Sequence, residues 1–551
     1  MISPQNHREL SSGNKLVAQK LANLKKSALN IADLRELARK RLTKALFDFC
    51  DKGSEDQVNL RANRTALDNI KLMPRMLRDV SKRHPCIKLF GKEHALPLII
   101  GPTGPAGFVW YRGETELARA AAKVNIPFTV ASTSNTPLED IYRNGGGTQW
   151  YQLYVWQDIE ASLVTAKRAL DAGYEALVLT VDSPVYNNRE IDMRNGLKFP
   201  PTINVRTALD VIRHPRWLFG TLARYYIAEG RLPAFSNIHI PDEQMANAKS
   251  YISASTGGFL NRNEALDWEF LKRLRDFWPK KLLIKCVLHP EDAANAVTCG
   301  VDGIFVSNHA GNVNDSAITA WDALPAISNA IGGKAIIIAD TGVRRGSDVI
   351  KGLALGADVI AVGRSTLYGL AAAGEAGATR ALEILEEEIR RTMAVMGINN
   401  ISEIRLELNN TKESSIEIRE KKASSGATID GLKKRRNDLL ERVMTELNLE
   451  EGKILNYSNL EKSDEFPDLV TQEELVDEKK REREKLGSVN LRADDETEKY
   501  KTEIKKMEQD RQDLVTAILK LKESITELNQ KGRERLLDAF ERVNRKFNEV
   551  Y

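Results

Sequence analysis

Between residues 96 and 363, apolar runs of strand length alternate with stretches whose apolar residues recur every three or four positions. The runs cover residues 96–101, 128–131, 150–155, 176–182, 282–287, 303–309, 335–340 and 358–363. Helical spacing falls on 114–124, 138–143, 159–172, 268–277, 291–298, 318–330 and 345–355, with 376–396 after the eighth run. Strands that are apolar on both faces are covered on both sides. Eight strand-then-helix units in succession predict an α/β chain closed as a (β/α)8 (TIM) barrel. A doubly wound open sheet is the alternative, and in either fold the ligand meets the C-terminal ends of the strands.

Ahead of the first run, Ile31, Leu34, Leu37, Ala38, Leu42, Leu46 and Phe47 predict one amphipathic helix over 30–53. Residues 1–30 read as a polar tail. The connection 197–266, between the fourth and fifth runs, is long enough to be functional in its own right. Within it, residues 206–235 mix basic side chains with aromatics (Arg213, Arg216, Trp217, Phe219, Arg224, Tyr225, Tyr226). That mixture suits either a segment resting on anionic headgroups or a lid or subunit contact.

After residue 404 the pattern changes: aromatics thin out and Lys, Glu and Asp dominate. Ile504, Met507, Leu514, Ile518, Leu521, Ile525 and Leu528 trace a coiled-coil seam broken by Arg511. A weaker helical arm covers 412–447, and 459–475 reads as a break. The organisation predicted is therefore a tail (1–30), a barrel (31–404) and a helical coiled-coil extension (405–551).

Composition narrows the function classes. A chain of 551 residues, 42% apolar and 29% charged, can bury a large core in more than one domain. A net charge of +4 gives no reason to expect direct nucleic-acid binding. Cys50, Cys86, Cys286 and Cys299 have no paired spacing, so no metal site and a reduced cytoplasmic setting are expected. Residues 1–26 lack a signal-peptide core, and no run reaches spanning length.

The candidate chemistry lies at the strand ends. The sixth run exits through Ser307 and Asn308 into His309. The seventh ends in Asp340, followed by Gly342 and Arg344, and the eighth in Gly363 and Arg364. Glycine lets backbone amides approach an anion and arginine offers a bidentate fork, so these two ends form a phosphate cradle. The first run leaves through Gly101, Pro102, Thr103 and Gly104, a turn with little bulk that can lie against a flat ring. Gln152 and Tyr154 share a face of the third run. Taken singly, Asp182 could be a helix cap, Arg189 and Lys285 surface charges, and Tyr154 packing.

Ser307-Asn308-His309, residues 340–346 and Gly363-Arg364, in that order and spacing, resemble the FMN-dependent 2-hydroxy-acid dehydrogenase/oxidase family, which includes glycolate oxidase, lactate oxidase and mandelate dehydrogenase. The resemblance runs from about residue 31 to 404. It implies FMN as cofactor, with Pro102, Thr103, Gly104, Ser132, Gln152, Thr180, Lys285, Ser307, Asp340, Gly342, Arg344, Gly363 and Arg364 around it. Gly104 is closer to the mandelate dehydrogenase branch, and Ala131 stands where a neighbouring family serine does. Lys285 would sit by flavin N1 and O2. His309 would take the substrate proton as the C2 hydride, or its electron pair, passes to flavin N5, with Asp182 orienting the ring and Tyr154 and Arg189 binding the substrate. A quinone or another acceptor would then take the electrons, and the enzyme would work as a homo-oligomer. The membrane-associating insertion of the mandelate dehydrogenase branch favours peripheral contact through 206–235, on the inner face of the cell membrane.

Two positions depart from this pattern: Asn312 replaces an arginine that clamps the substrate carboxylate, and Phe49 replaces a tyrosine that reaches it. A barrel with an altered substrate or without turnover is therefore an alternative reading. A second resemblance covers 407–551. Residues 486–493, Gly532-Arg533-Glu534-Arg535-Leu536 and Val543-Asn544 are similar to the descending arm of a bacterial structural-maintenance-of-chromosomes protein, ahead of its ATPase head. It implies a chromosome-associated coiled-coil scaffold carrying the barrel as passenger. The chain contains no P-loop, so no ATPase activity is expected.

Overall fold

Each apolar run forms a strand, and the eight strands close on themselves. The computed structural model describes residues 4–197, 205–238, 262–448, 453, 456, 468–485 and 493–548. Strands β1 (Leu98–Ile100), β2 (Phe128–Ala131), β3 (Gln149–Leu153), β4 (Ala176–Thr180), β5 (Lys281–Val287), β6 (Gly303–Val306), β7 (Ile336–Ala339) and β8 (Val359–Val362) pair in chain order. β8 returns to β1 in parallel register, Ile360 opposite Leu98 and Val362 opposite Ile100. The open-sheet alternative is thereby excluded.

Alternate residues explain why the runs are apolar throughout. Ile99, Trp150, Val178, Leu283, Phe305 and Ile338 fill the barrel interior. Their neighbours Ile100, Tyr151, Leu177, Ile284, Ile304 and Ile337 pack outward, beneath the helices. Between β5 and β6 the register slips between Lys285 and Val287. This bulge re-aims the end of β5.

Several elements differ from the sequence expectation. The polar tail is largely a helix, α1 (Pro4–Ser27), packed on the helix Glu375–Met396 with Leu24 and Ala28 buried and Lys25 3.2 Å from Glu383. Its apolar stripe is too narrow to stand out from its polar composition. The single helix expected over 30–53 is two. α2 (Ile31–Arg41) begins in a capping box of Asn30 and Asp33, and the backbone turns extended at Leu42 before α3 (Lys44–Asp51). α4 (Val58–Asn69), an antiparallel pair Ile87–Leu89 and Lys92–His94, and the helix Arg364–Ala373 are additional.

The long connection carries short helices, Val205–Arg213, Pro215–Trp217 and Ala223–Glu229, within its described part. Trp217 and Tyr225 dock it, the Trp217 Nε1–H donating to Phe108 O (2.8 Å) and the Tyr225 hydroxyl accepting from Arg112 N (3.0 Å). Residues 198–204 and 239–261 of this connection lie outside the described residues, as do 459–467 of the expected break and residues 486–492 of the second resemblance.

The chain divides into two units, 1–424 and 425–551, a later boundary than the change in composition at 404. Ile401 and Ile404, at the start of the helix Ile401–Leu447, still belong to the barrel core. In the second unit the helix Leu469–Lys485 begins inside the expected break, and the helix Ala493–Asn548 carries the seam, its apolar residues exposed. Among the described residues no helix is long and apolar enough to cross a membrane.

Candidate active site

His309 stands three residues beyond the C-terminal end of β6 in a turn that L residues resist. It and Ala310 both adopt left-handed backbone, with φ of 54° and 57°. Asn308 holds the turn. Its amide donates to Asn59 Oδ1 (2.5 Å) and Asn63 Oδ1 (2.8 Å) and accepts from Asn63 Nδ2 (3.0 Å). Both asparagines come from α4, and a side chain at Gly311 would strike Leu60 N at 2.7 Å. α4 is thus the clamp on the histidine turn.

Asp182, two residues past β4, places its carboxylate oxygens 3.0 and 3.1 Å from His309 Nδ1. Burial alone would raise this carboxyl. The charge and hydrogen bond of His309, with Lys285 nearby, outweigh burial and hold it well below the usual carboxylate range. An ionised Asp182 keeps the proton on Nδ1, so Nε2 is the free base, 3.3 Å from the Tyr154 hydroxyl. Burial pushes the Tyr154 phenol up to about 12, so it stays protonated and donates to Nε2.

Lys285 is 3% exposed, not a surface charge. Its ammonium donates to Ser307 Oγ (2.9 Å) and lies 3.4 Å from Asp340. Burial opposes the charge, but Asp340, Cys286 and Asp182 outweigh it and hold the group above the ordinary lysine range. Ser307 Oγ also accepts from His309 N (3.1 Å), which links the lysine to the histidine turn. Ser132, Gln152 and Thr180 are buried and bonded to one another: Ser132 N donates to Gln152 Oε1 (3.2 Å), and Gln152 Nε2 to Thr180 Oγ1 (3.0 Å).

A cavity crosses the strand ends, with Pro102, Thr103, Lys285, Asp340, Gly342 and Arg344 on its walls and His309 at one side. Thr103 Oγ1 and Asp340 Oδ1 are buried and have no partner among the described residues. Gly342 has φ of 71°, with the Asn63 carbonyl 3.0 Å from where a Cβ would stand, and Gly363 also lines the cavity. Unpaired hydroxyl and carboxylate oxygens beside a lysine, an arginine and bare backbone suit a group that carries hydroxyls and an anion. Gly104 is required for packing, because a Cβ there would meet Thr133 Oγ1 at 2.5 Å.

Of the three arginines expected to meet anions, Arg189 and Arg364 line the cavity while also donating to protein oxygens. Arg189 donates to Asp192 (2.6 Å), Phe49 O (2.8 Å), Lys52 O (3.2 Å) and Asn312 Oδ1. Arg364 donates to Cys50 O and Ala310 O (both 3.0 Å) and Lys52 O (3.1 Å), and its burial lowers its pKa to about 10. The Arg344 side chain gives one hydrogen bond among the described residues, to Val343 O, and lines the cradle.

Sequence reasoning missed Arg262. Its guanidinium lies 3.3 Å over the Tyr154 ring and 4.4 Å from that of Trp156, and its buried Nη1 has no partner among the described residues. A backbone bridge between Trp156 and Arg262 puts it there, and no local motif announces such a bridge. Cys286 was missed as well: its Sγ is 3.7 Å from His309 Nδ1.

A family model described as FMN-dependent dehydrogenase matches residues 38–411. The (S)-mandelate dehydrogenase of Pseudomonas putida is 38% identical over 382 residues, 69% of this chain and 93% of that protein. The L-lactate dehydrogenase of Alcaligenes faecalis is 37% identical over 385 residues, 68% of this chain and 97% of that protein. A crystal structure of a monotopic membrane protein, (S)-mandelate dehydrogenase, is similar with a TM-score of 0.64 at 37% identity, over 68% of this chain and 97% of that one.

Proposed function

Since the chain belongs to the FMN-dependent dehydrogenase family, we propose that it oxidises a 2-hydroxy acid to the 2-oxo acid, with His309 as the base. One observation carries the reading: Nδ1 of His309 is held by an ionised Asp182, leaving Nε2 to accept a proton beside Tyr154.

FMN, when bound, accepts the two electrons lost at the substrate's C2. Pro102, Thr103, Asp340, Gly342, Arg344 and Gly363 would hold it, with Ser132, Gln152, Thr180 and Ser307 behind them. Lys285 brings a fixed positive charge to that site. His309 Nε2 takes the hydroxyl proton, Asp182 stabilises the imidazolium, and the Tyr154 hydroxyl donates to the substrate oxygen. Arg189, which lines the cavity, and Arg262, whose Nη1 has no partner among the described residues, would take the substrate carboxylate. The electrons then leave to a quinone or another acceptor.

The test is the spectrum of the purified protein under anaerobic addition of mandelate, lactate and larger 2-hydroxy acids. Bleaching of a flavin band supports the reading. A flavin band that none of them bleaches would leave a cofactor-binding barrel without this turnover, and protein without flavin would overturn the cofactor assignment.

A peripheral membrane role for 206–235 rests on Ile212, Phe219, Tyr226 and Ile227, which are 66%, 69%, 66% and 83% exposed among Arg213, Arg216 and Arg224. Apolar side chains in a basic surround suit an anionic lipid interface. Cosedimentation with phosphatidylglycerol vesicles, lost in Phe219→Ser/Ile227→Ser, tests it. The seam in Ala493–Asn548 supports self-association of the extension, or the scaffold role implied by its chromosome-protein resemblance.

A further inference from the structure

Cys286, one residue beyond Lys285, has φ of 77°. L side chains resist left-handed backbone, and here it coincides with the register slip between β5 and β6. The distortion presents the thiol to the base pair. Sγ lies 3.7 Å from His309 Nδ1 and 3.3 Å from Lys285 Nζ, and the thiol donates to the Asp182 carboxylate. Sγ, Nδ1 and an Asp182 oxygen all lie within 4.8 Å of one another. Proton abstraction by Nε2 gives the thiol no task.

We propose that Asp182, Cys286 and Nδ1 of His309 form a site for a thiophilic divalent cation of the zinc class, and that its occupation switches the base off. Thiolate, imidazole and carboxylate are the three ligand types zinc takes. Tetrahedral zinc with bonds of about 2.0 to 2.3 Å sets its donors about 3.3 to 3.7 Å apart. The nitrogen is already 3.0 Å from the carboxylate and 3.7 Å from the sulfur, close to that spacing. The three ligands come from three different strand ends, so no sequence spacing reveals them.

Binding replaces the thiol proton, which leaves to solvent. The imidazole's single proton moves from Nδ1 to Nε2, because the metal now occupies the Nδ1 lone pair. Nε2 then carries a hydrogen and cannot accept one from the substrate. The adverse neighbour is the Lys285 ammonium, and Asp340 at 3.4 Å offsets it. The inhibitory consequence rests on His309 being the base, but the binding does not.

The experiment uses the full-length, flavin-loaded protein and cadmium ion, whose thiolate complexes show an ultraviolet charge-transfer band. One bound equivalent with that band is expected, displaced by zinc ion. Cys286→Gly suits the left-handed backbone and should lose both the equivalent and the band. Asp182→Asn should weaken binding, and Cys86→Ser, which removes the exposed thiol, should change nothing. With any 2-hydroxy acid that bleaches the flavin, zinc should slow reduction in the parent and not in Cys286→Gly, with recovery on chelation. No band in the parent, or an equivalent that survives Cys286→Gly or disappears with Cys86→Ser, overturns the site. If no hydroxy acid bleaches the flavin, the functional reading fails while the band still decides the metal site.

Discussion

Removing the His309 ring deletes the proton acceptor and leaves Lys285, Asp340 and Gly342 in place. His309→Ala should therefore keep its flavin while anaerobic reduction by substrate slows by about 10²- to 10⁴-fold, as stopped-flow absorbance would read. Asp182 adds a pH signature. Its folded pKa lies below the unfolded value of 3.8, so its contribution to stability is complete at neutral pH and drains away as pH falls below about 4. Melting temperature against pH should fall less steeply on the acid side in Asp182→Asn. Arg262→Gln should weaken binding of a 2-oxo-acid product analogue by about 2 to 5 kcal/mol, read as an increased dissociation constant with flavin content unchanged. His309, Asp182 and Tyr154 were legible in the sequence because each follows an apolar strand, and Lys285 because it is a charge near the end of one. Arg262 and Cys286 were not, since one depends on how a long connection folds back and the other on a one-residue bulge. For Arg189 and Arg364 the sequence displayed the charges but not the backbone carbonyls that absorb them.

The strands were the easiest elements to read, because a barrel strand is apolar on both faces and ends abruptly in polar residues. α4 was invisible for the opposite reason. Its buried residues are Asn59, Asn63 and Leu67, so its inward face is mostly amide and leaves no hydrophobic period. The break between α2 and α3 escaped because Leu42 and Leu46 preserve the helical spacing across it. Between α3 and the histidine turn, Arg364 is the tie, its guanidinium spanning the carbonyls of Cys50, Lys52 and Ala310. Arg364→Ala would take this donor from the Cys50 and Ala310 carbonyls and leave Lys52 O to Arg189 alone, destabilising the fold by about 1 to 3 kcal/mol. Because Cys50 and Ala310 border the cavity, the variant should also retain less flavin. Calorimetry and the ratio of flavin to protein absorbance check the two effects.

Across the whole chain, the change of composition at 404 announced two units, but it could not show that Ile401 and Ile404 still pack in the barrel. A chain ended after residue 424 should keep its flavin and its rate of reduction, because every site residue lies before that point. It should also lose the concentration-dependent association that the exposed seam of Ala493–Asn548 would drive. Sedimentation velocity over a range of concentrations, with flavin content measured on both forms, decides between an independent arm and one that belongs to the enzyme.

Two successive left-handed residues store about 2 to 4 kcal/mol in the His309 turn, held there by the amides of α4. A short polar helix opens more readily than a closed ring of strands. We therefore expect opening of the 12-residue α4, before any opening of the barrel core, to limit the working lifetime of the catalyst. Gentle warming should silence turnover while the far-ultraviolet circular dichroism of the strands and helices is unchanged, and cooling should bring the activity back.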